Sequence, residues 1–342
     1  KNHIINGASD WVYEEEFKLV RGFEWSSDSR TIAYYKFDES HVKEFSMDKF
    51  NGNLYPSQVV FKYPKAGEDN STVNILLYNL DKKEKTLIYT EEDYEYIPRI
   101  KWSKDPHILT MIGLNRHQNK LDFIVVNSKD GSNNILFSEE DKYYIDIHDN
   151  LTFLPNNFFI WTSEKKGYNH IFLKGLDGSE EQITSGSWEV TSFKGLDSDK
   201  MQIFFTSTED GSINRSLYVL DLESGKRTKL STQKGTNSAK FSKGLKYYIN
   251  TFSDANTPPV FTLHKADGTL IKTIEDNLKF KNKLEEYNLS KKEFLTIYTD
   301  NADLNAWVIK PPNFDKSKKY PLFMFLYGGP GSQKVLNKYE GN

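Results

Sequence analysis

The first candidate for chemistry is an acidic stretch near the start of the sequence, Asp-Trp-Val-Tyr-Glu-Glu-Glu-Phe at residues 10–17. Three adjacent carboxylates repel one another, so such a run is favourable only in water or beside a cation. A short helix here would place Tyr13 and Phe17, four residues apart, on one face that anchors it to a core. Glu15 and Glu16 would then project from a rigid platform and could bind one ammonium group through charge-assisted hydrogen bonds. Alternatively, acidic residues in the first turn of a helix only complement its dipole and stay solvated.

The remaining chemistry-bearing residues form no recognisable catalytic or metal-binding set. The absence of Cys excludes disulfides, thiolate metal sites and a cysteine nucleophile. The seven His show no paired metal spacing, so neither a metal nor another cofactor is expected. No Gly-x-Ser-x-Gly turn occurs, and Ser332 in Gly-Pro-Gly-Ser-Gln stands one place too late to be the nucleophile of such a turn.

Composition limits the classes of partner. The 342 residues carry a net charge of −3, which offers no electrostatic basis for binding nucleic acid or an anionic membrane. No apolar run approaches the roughly 20 residues that a membrane span needs. Residues 1–6 do not resemble a signal peptide, and the sequence lacks an initiator Met, so we interpret it as a fragment or processed form.

A weak repeat predicts the fold that must hold the acidic stretch. Short strands with polar turns recur, each unit marked by an aromatic residue: Trp25, Trp102, Phe153, Phe193 and Phe241. The last three gaps are 51, 40 and 48 residues, and a period of 40–50 residues with short strands is typical of a β-propeller. The Asp-Gly pairs at residues 177–178 and 267–268 are hairpin signals within the repeats. We therefore predict a mainly β fold with about five propeller blades over residues 1–293.

Two segments depart from the repeat. Residues 41–70 lengthen the first gap to 77 residues, and an insertion of this length is typical of a functional or interaction arm, although it could be a surface loop. From residue 294 the pattern changes to a hairpin over residues 295–299 and 305–310. The continuous apolar run at residues 321–327 then predicts a buried strand of an α/β sheet, followed by a Gly-Gly-Pro-Gly loop at residues 328–331.

Three motifs, in the same order, resemble the dipeptidyl peptidase IV branch of the prolyl oligopeptidase family of serine peptidases. They are Asp-Trp-Val-Tyr-Glu-Glu-Glu at residues 10–16, Tyr-Pro-Lys-Ala-Gly at residues 63–67, and Tyr-Pro-Leu at residues 320–322 continuing to Leu-Tyr-Gly-Gly-Pro-Gly-Ser-Gln at residues 326–333. The resemblance implies a partial propeller of that type, whose first blades precede residue 1. It also implies that residues 294–342 begin an α/β-hydrolase domain and stop before the nucleophile.

The resemblance also assigns roles to individual residues. Glu15 and Glu16 match the pair that grips the free α-ammonium of a peptide substrate, and Tyr327 matches the tyrosine that donates a hydrogen bond to the oxyanion. Without the resemblance, a Tyr at the end of an apolar strand would be interpreted as core packing. The arm at residues 41–70 is expected to mediate homodimerisation, and the parent protein to be periplasmic, secreted or at the cell surface.

The function that the resemblance implies is substrate recognition in a serine exopeptidase that releases Xaa-Pro or Xaa-Ala dipeptides from free N-termini. The chain alone is expected to be inactive, because the Ser, His and Asp of the triad are not in it. A non-catalytic propeller that binds proteins is an alternative from another class. A relative that releases tripeptides is a closer alternative, because the Glu pair does not separate the two activities.

Overall fold

The computed structural model describes residues 3–329 and 331–341. The chain divides into two compact units, residues 1–161 with 173–181 and residues 162–172 with 182–342. The described residues form 25 β-strands and two α-helices, α1 (Trp11–Glu16) and α2 (Leu278–Glu285), with a short 3₁₀ turn at Pro155–Asn157.

The strands are numbered in chain order. The first twelve are β1 (Ile4–Asn6), β2 (Phe23–Trp25), β3 (Thr31–Asp38), β4 (Glu44–Lys49), β5 (Ser57–Lys62), β6 (Thr72–Asn79), β7 (Glu84–Leu87), β8 (Tyr96–Trp102), β9 (Ile108–Leu114), β10 (Lys120–Asn127), β11 (Asn133–Glu140) and β12 (Thr152–Phe153). The others are β13 (Phe158–Ser163), β14 (His170–Gly175), β15 (Glu180–Gln182), β16 (Val190–Asp197), β17 (Gln202–Ser207), β18 (Ser216–Asp221), β19 (Arg227–Lys229), β20 (Thr236–Phe241), β21 (Tyr247–Asp254), β22 (Thr257–Lys265), β23 (Leu270–Glu275), β24 (Lys292–Tyr298) and β25 (Asp303–Ile309).

Five sheets follow one another along the described chain. The first has the order β1-β3-β6-β7 with β2 also on β3, and the next four have the orders β11-β10-β9-β8, β12-β13-β14-β15, β16-β17-β18-β19 and β20-β21-β22-β23. The marker aromatics Trp25, Trp102, Phe153, Phe193 and Phe241 lie in β2, β8, β12, β16 and β20, one in each sheet. The mainly β, propeller-type fold predicted from the repeat is therefore confirmed.

Alternation along β3 shows how the sequence specifies a sheet face. Ala33, Tyr35 and Phe37 are buried, while the residues between them are partly exposed. Because successive side chains of a strand point to opposite faces, this period of two fixes the register of β3 against β6, in which Tyr35 pairs with Ile75. The buried face of β3 joins the core of the first unit, which also includes Phe123.

The hairpin turns follow the residues that signalled them. Gly178 and Gly268 both adopt left-handed φ values, of +88° and +92°, between β14 and β15 and between β22 and β23. Each glycine N–H closes the turn on the carbonyl three residues earlier, at 3.1 and 3.0 Å. A side chain is strained at such φ values, so the Asp-Gly signals identified these turns correctly.

The region after residue 294 bears out one prediction and contradicts another. The predicted hairpin is present as β24 and β25, in which Leu295 pairs with Ala306. The prediction of a buried strand over residues 321–327 is wrong: the segment is extended without strand pairing, and Phe323 is 91% exposed. An apolar run becomes a buried strand only when neighbouring strands take its backbone hydrogen bonds, and none pairs with it among the described residues. The helix α2 was not predicted.

Candidate functional site

The acidic stretch forms the helix α1, as its sequence predicted. Asp10 caps its N-terminus, with a carboxylate oxygen that accepts a hydrogen bond from the Tyr13 N–H at 2.9 Å. The helix ends at Glu16, and the N–H of the C-cap residue, Phe17, donates to the Tyr13 carbonyl at 3.2 Å. The rings of Tyr13 and Phe17 lie 5.2 Å apart and both side chains are buried, so the predicted anchoring face is confirmed.

Tyr13 fixes the helix to the core of the first unit. Its ring centroid lies 4.7 Å from that of Phe37, edge to face. Its hydroxyl oxygen accepts a hydrogen bond from the backbone N–H of Ile97 at 2.7 Å. Complete burial raises the pKa of Tyr13 well above its ordinary value of 10, so the hydroxyl stays neutral. The helix is therefore anchored by a buried aromatic ring whose hydroxyl group has a hydrogen-bond partner.

Asp10 ties the start of the helix to the base of the arm. One carboxylate oxygen caps the helix, and the other accepts a hydrogen bond from the Ser71 hydroxyl. Burial raises the pKa of the Asp10 carboxyl above 3.8, although its hydrogen bonds from Ser71 and Tyr13 act in the opposite direction. The ionised carboxylate is thus held by two donors at a desolvated position.

Asp10→Ala should destabilise the protein by roughly 2 kcal/mol, because it leaves the Tyr13 N–H and the Ser71 hydroxyl buried without their acceptor. Asp10→Asn retains a capping oxygen but cannot titrate, so comparing it with wild type isolates the effect of Asp10 ionisation on the pH dependence of stability. A raised folded-state pKa means that titration of Asp10 favours the folded state below 3.8, and that this contribution is lost as pH rises through the folded-state value. Denaturant unfolding should therefore show Asp10→Asn gaining stability relative to wild type between pH 4 and 7. If the difference in the free energy of unfolding between Asp10→Asn and wild type did not change with pH, the raised folded-state pKa of Asp10 would be contradicted.

The side of α1 that faces away from the core carries the carboxylates. Glu14, Glu15 and Glu16 are all exposed, whereas Val12 and Tyr13 are buried. The Lys18 ammonium donates to the Glu15 backbone carbonyl at 2.6 Å, which engages the main chain and leaves the Glu15 carboxylate outside this contact. The structure thus presents two neighbouring acidic side chains on a support that is fixed from below, as a receptor for a cation requires.

Two tyrosines, Tyr96 and Tyr144, lie close enough to Glu16 for its negative charge to affect their pKa values. Burial raises the pKa of Tyr96, with Glu95 and Glu16 acting in the same direction. Burial, Asp146 and Glu16 likewise raise the pKa of Tyr144. Neither tyrosine was identified from the sequence, because both are brought to α1 by tertiary folding and no local pattern marks them.

A polar network beside Tyr96 was also missed. The Asn70 amide donates to the Tyr96 hydroxyl at 2.9 Å and to the Glu95 carboxylate at 2.5 Å. The Arg116 guanidinium pairs with the same carboxylate at 2.7 Å and donates to the Glu68 carbonyl at 2.6 Å. Arg116 lies in the turn between β9 and β10, and through the Glu68 carbonyl it binds the end of the arm.

The arm is a hairpin whose base packs on the helix. Strands β4 and β5 pair antiparallel, with Phe45 opposite Phe61. The Tyr63 ring lies 5.4 Å from that of Phe45 and 4.2 Å from that of Trp11 in α1. Residues of the second matching motif therefore support the helix that carries the first.

Tyr327, the predicted oxyanion donor, belongs to the second unit. Its side chain is 58% exposed, and the Lys334 ammonium lies 5.0 Å from its ring centroid. Gly329 lies close to the ring: a Cβ there would lie 2.5 Å from the Tyr327 Cε1, so a larger residue would displace the exposed ring. Pro330 of the same loop lies outside the described residues.

Neither a metal cluster nor a membrane helix is present in the part of the chain that the structure describes. No group of three His, Asp or Glu is arranged to hold a metal ion in residues 3–329 and 331–341. No helix within those ranges is long and apolar enough to cross a membrane.

Comparison with known proteins gives consistent matches. The family profile described as the dipeptidyl peptidase IV (DPP IV) N-terminal region matches residues 1–259. A dipeptidyl peptidase 4 from Trichophyton rubrum is 30% identical over 98% of this chain and 46% of its own length, and one from Arthroderma otae is 32% identical over the same shares. The crystal structure of Porphyromonas gingivalis dipeptidyl peptidase 4 superposes with a TM-score of 0.93 at 39% identity, covering 100% of this chain and 49% of that one. The chain spans about half the length of the curated relatives it matches.

Proposed function

The chain belongs to the dipeptidyl peptidase IV family, and from that membership we propose that it is the substrate-recognition part of a serine exopeptidase. The full-length enzyme would release Xaa-Pro or Xaa-Ala dipeptides from peptides with a free N-terminus. Relatives named dipeptidyl peptidase 4 support the peptidase class. The particular roles of Glu15, Glu16 and Tyr327 are our proposal.

The observation that carries the proposal is the pair of exposed carboxylates on a helix that is fixed on its other side. Asp10 and Tyr13 hold α1 through the cap and the Ile97 hydrogen bond, so Glu15 and Glu16 start from an ordered backbone. A peptide α-amino group has a pKa of about 8, so most of it is cationic at neutral pH. Two carboxylates could therefore accept its N–H donors at little cost in ordering the site.

The same pair would set the length of the product and exclude blocked peptides. If both carboxylates engage the N-terminus, the distance from that anchor to the nucleophile of the full-length enzyme selects the scissile bond. A peptide with an acetylated N-terminus would desolvate both carboxylates without pairing them, which disfavours its binding. The proposed specificity thus follows from the charge of the two carboxylates and from their distance to the nucleophile.

Cleavage itself would follow the general scheme of serine peptidases in the full-length protein. A serine hydroxyl attacks the scissile carbonyl while a histidine takes its proton, and the carbonyl oxygen becomes an oxyanion. We propose that the Tyr327 hydroxyl donates a hydrogen bond to this oxyanion. The sequence of this chain contains no Gly-x-Ser-x-Gly turn, so the proposal assigns the nucleophile to other residues of the full-length protein.

Product mapping on the full-length protein tests this function. A peptide that begins Gly-Pro should lose its first two residues, as mass spectrometry would show, and its N-acetylated counterpart should remain intact. The peptide with a free amine and the acetylated peptide differ only at the group that Glu15 and Glu16 are proposed to bind. Release of a tripeptide would replace the dipeptidyl assignment with a tripeptidyl one, and equal cleavage of both peptides would contradict the ammonium clamp.

We further propose that the arm, residues 41–70, mediates homodimerisation of the full-length protein. Beyond its base the hairpin exposes large apolar side chains, with Leu54 and Tyr55 more than 80% exposed and Phe50 more than half exposed. An exposed apolar hairpin is well suited to bury itself against a second copy related by a two-fold axis.

Shortening the arm should convert the dimer to a monomer. Replacing residues 46–60 with a short Gly-Ser turn retains Phe45, Phe61 and Tyr63, so the contact with Trp11 is preserved. Light scattering on the full-length variant should give half the molar mass of wild type. An unchanged molar mass would contradict the role of the arm, and circular dichroism would check that the variant is folded.

A further inference from the structure

A cavity of about 390 Å³ lies in the first unit, next to the segment that follows α1. It is lined by residues of that segment and of β2, β3, β8 and β9, and by His148, Asp149 and Leu151, which precede β12. Its walls are apolar at Ile100, Ile112 and Leu151, and its charged residues are mostly basic. We call it the basic cavity, and the proposed peptidase function does not use it.

The basic cavity has an excess of positive charge. Two of its cations are already paired: Arg99 binds Asp149 at 2.6 Å and Arg21 binds Glu24 at 2.7 Å. Lys18 and Lys101 remain. With these four basic and two acidic groups the lining carries a net charge of +2, in a chain whose net charge is −3.

The ammonium groups of the two lysines have N–H donors that can bind further acceptors. Lys18 donates to the Glu15 carbonyl, Lys101 donates to the Leu151 carbonyl, and neither forms an ion pair with any residue that the structure describes. An ammonium carries three N–H donors, so each lysine could bind a second acceptor. An anion that enters the cavity would meet both charges.

Tyr35 supplies an independent indication of a ligand. Its side chain is only 1% exposed, lines the basic cavity, and has a hydroxyl with no hydrogen-bond partner in residues 3–329 and 331–341. The ring is held by stacking on Phe37, with centroids 5.7 Å apart. Buried polar atoms in folded proteins are nearly always paired, so an unpaired hydroxyl in a cavity wall indicates where an acceptor would bind.

We propose that the basic cavity binds a small organic carboxylate, which accepts hydrogen bonds from the Tyr35 hydroxyl and the ammonium groups of Lys101 and Lys18. The apolar body of the ligand would lie on Ile100, Ile112 and Leu151. A cavity of this size is near the lower end of small-molecule sites, so the ligand is a short-chain acid or the C-terminal residue of a peptide. Both sources present the same chemistry, a carboxylate on a short apolar group.

Calorimetric titration of the full-length protein tests the site with defined probes. Hexanoate represents a free acid, N-acetyl-leucine represents a peptide C-terminus without a free amine, and hexanamide is the uncharged match for hexanoate. We expect saturable binding of at least one carboxylate and none of hexanamide. The tighter of the two carboxylates identifies the source.

Variants assign the binding to the cavity. Tyr35→Phe removes one oxygen atom and should weaken carboxylate binding roughly tenfold, as loss of a hydrogen bond to a charged group predicts. Lys101→Met should weaken it at least as much, whereas Tyr34→Phe, on the other face of β3, should not change it. The proposal would be overturned if neither carboxylate bound saturably. It would also be overturned if carboxylate binding were unchanged in both Tyr35→Phe and Lys101→Met. Dipeptide release by the same preparations is a separate readout, so failure of this site and failure of the peptidase proposal are distinguishable.

Discussion

Replacing Glu15 and Glu16 together by Gln should lower kcat/KM of the full-length protein for a Gly-Pro chromogenic substrate by about three orders of magnitude, since each lost charge-assisted hydrogen bond changes an equilibrium roughly ten- to a hundredfold. Glutamine keeps the size of each side chain and can still accept a hydrogen bond, so the substitution removes the charge and little else. The effect should arise from the ammonium of the substrate, whose pairing holds the scissile bond in position.

Glu14→Gln is the matched control. Glu14 is exposed like its two neighbours and lies in the first turn of the same helix, so its substitution makes the same chemical change at an adjacent site. We expect its kcat/KM to stay within about threefold of wild type, because only a modest helix-dipole contribution is lost. Comparable rates for wild type and for the Glu15, Glu16 double variant would show that these carboxylates are only the solvated start of a helix.

Local residue patterns predicted the elements of this fold better than its site. The alternation of β3, the hairpin β24–β25 and the Tyr13–Phe17 face of α1 follow from spacing within about ten residues, where strand and helix periods act directly. The helix α2, which was missed, has a weak start, since its cap residue, Asn277, has a left-handed φ of 52° and makes no capping hydrogen bond. The sequence contains only a weak signal for it, because, of its apolar residues 278, 280 and 284, only the last two are at helical spacing.

The environment of the Glu pair depends on contacts that no local pattern encodes. The cap residue Asp10 binds Ser71, 61 residues away, and the Tyr13 hydroxyl accepts from Ile97, 84 residues away. The Arg116 guanidinium binds Glu95, 21 residues away, and the Glu68 carbonyl, 48 residues away. Such pairs arise from the order in which sheets pack, so they could be found only after the fold was known. The apolar run at residues 321–327 is the opposite case: its composition predicts a buried strand, but burial requires neighbours that composition does not supply.

Tyr327→Phe should lower kcat of the full-length protein by roughly 10²- to 10³-fold and leave KM within about threefold, as removal of one oxyanion donor does. The oxyanion exists only along the reaction path, so the hydroxyl would stabilise the transition state and contribute little to substrate binding. Phenylalanine preserves the ring that packs against Gly329 and lies near the Lys334 ammonium, so the loop should keep its conformation.

Tyr298→Phe serves as the control for this substitution. Tyr298 ends β24 in the same unit and is 77% exposed, so loss of its hydroxyl should leave both kcat and KM unchanged. Stopped-flow measurement of product formation would separate the chemical step from product release. A Tyr327→Phe enzyme with unchanged kcat, or with its loss confined to KM, would show that the tyrosine has a binding or packing role and that the oxyanion is stabilised by other groups. A loss confined to kcat, together with the loss of cleavage on N-acetylation of the substrate, would assign the two ends of the substrate to two separate parts of this chain, Tyr327 at the scissile carbonyl and Glu15 with Glu16 at the ammonium.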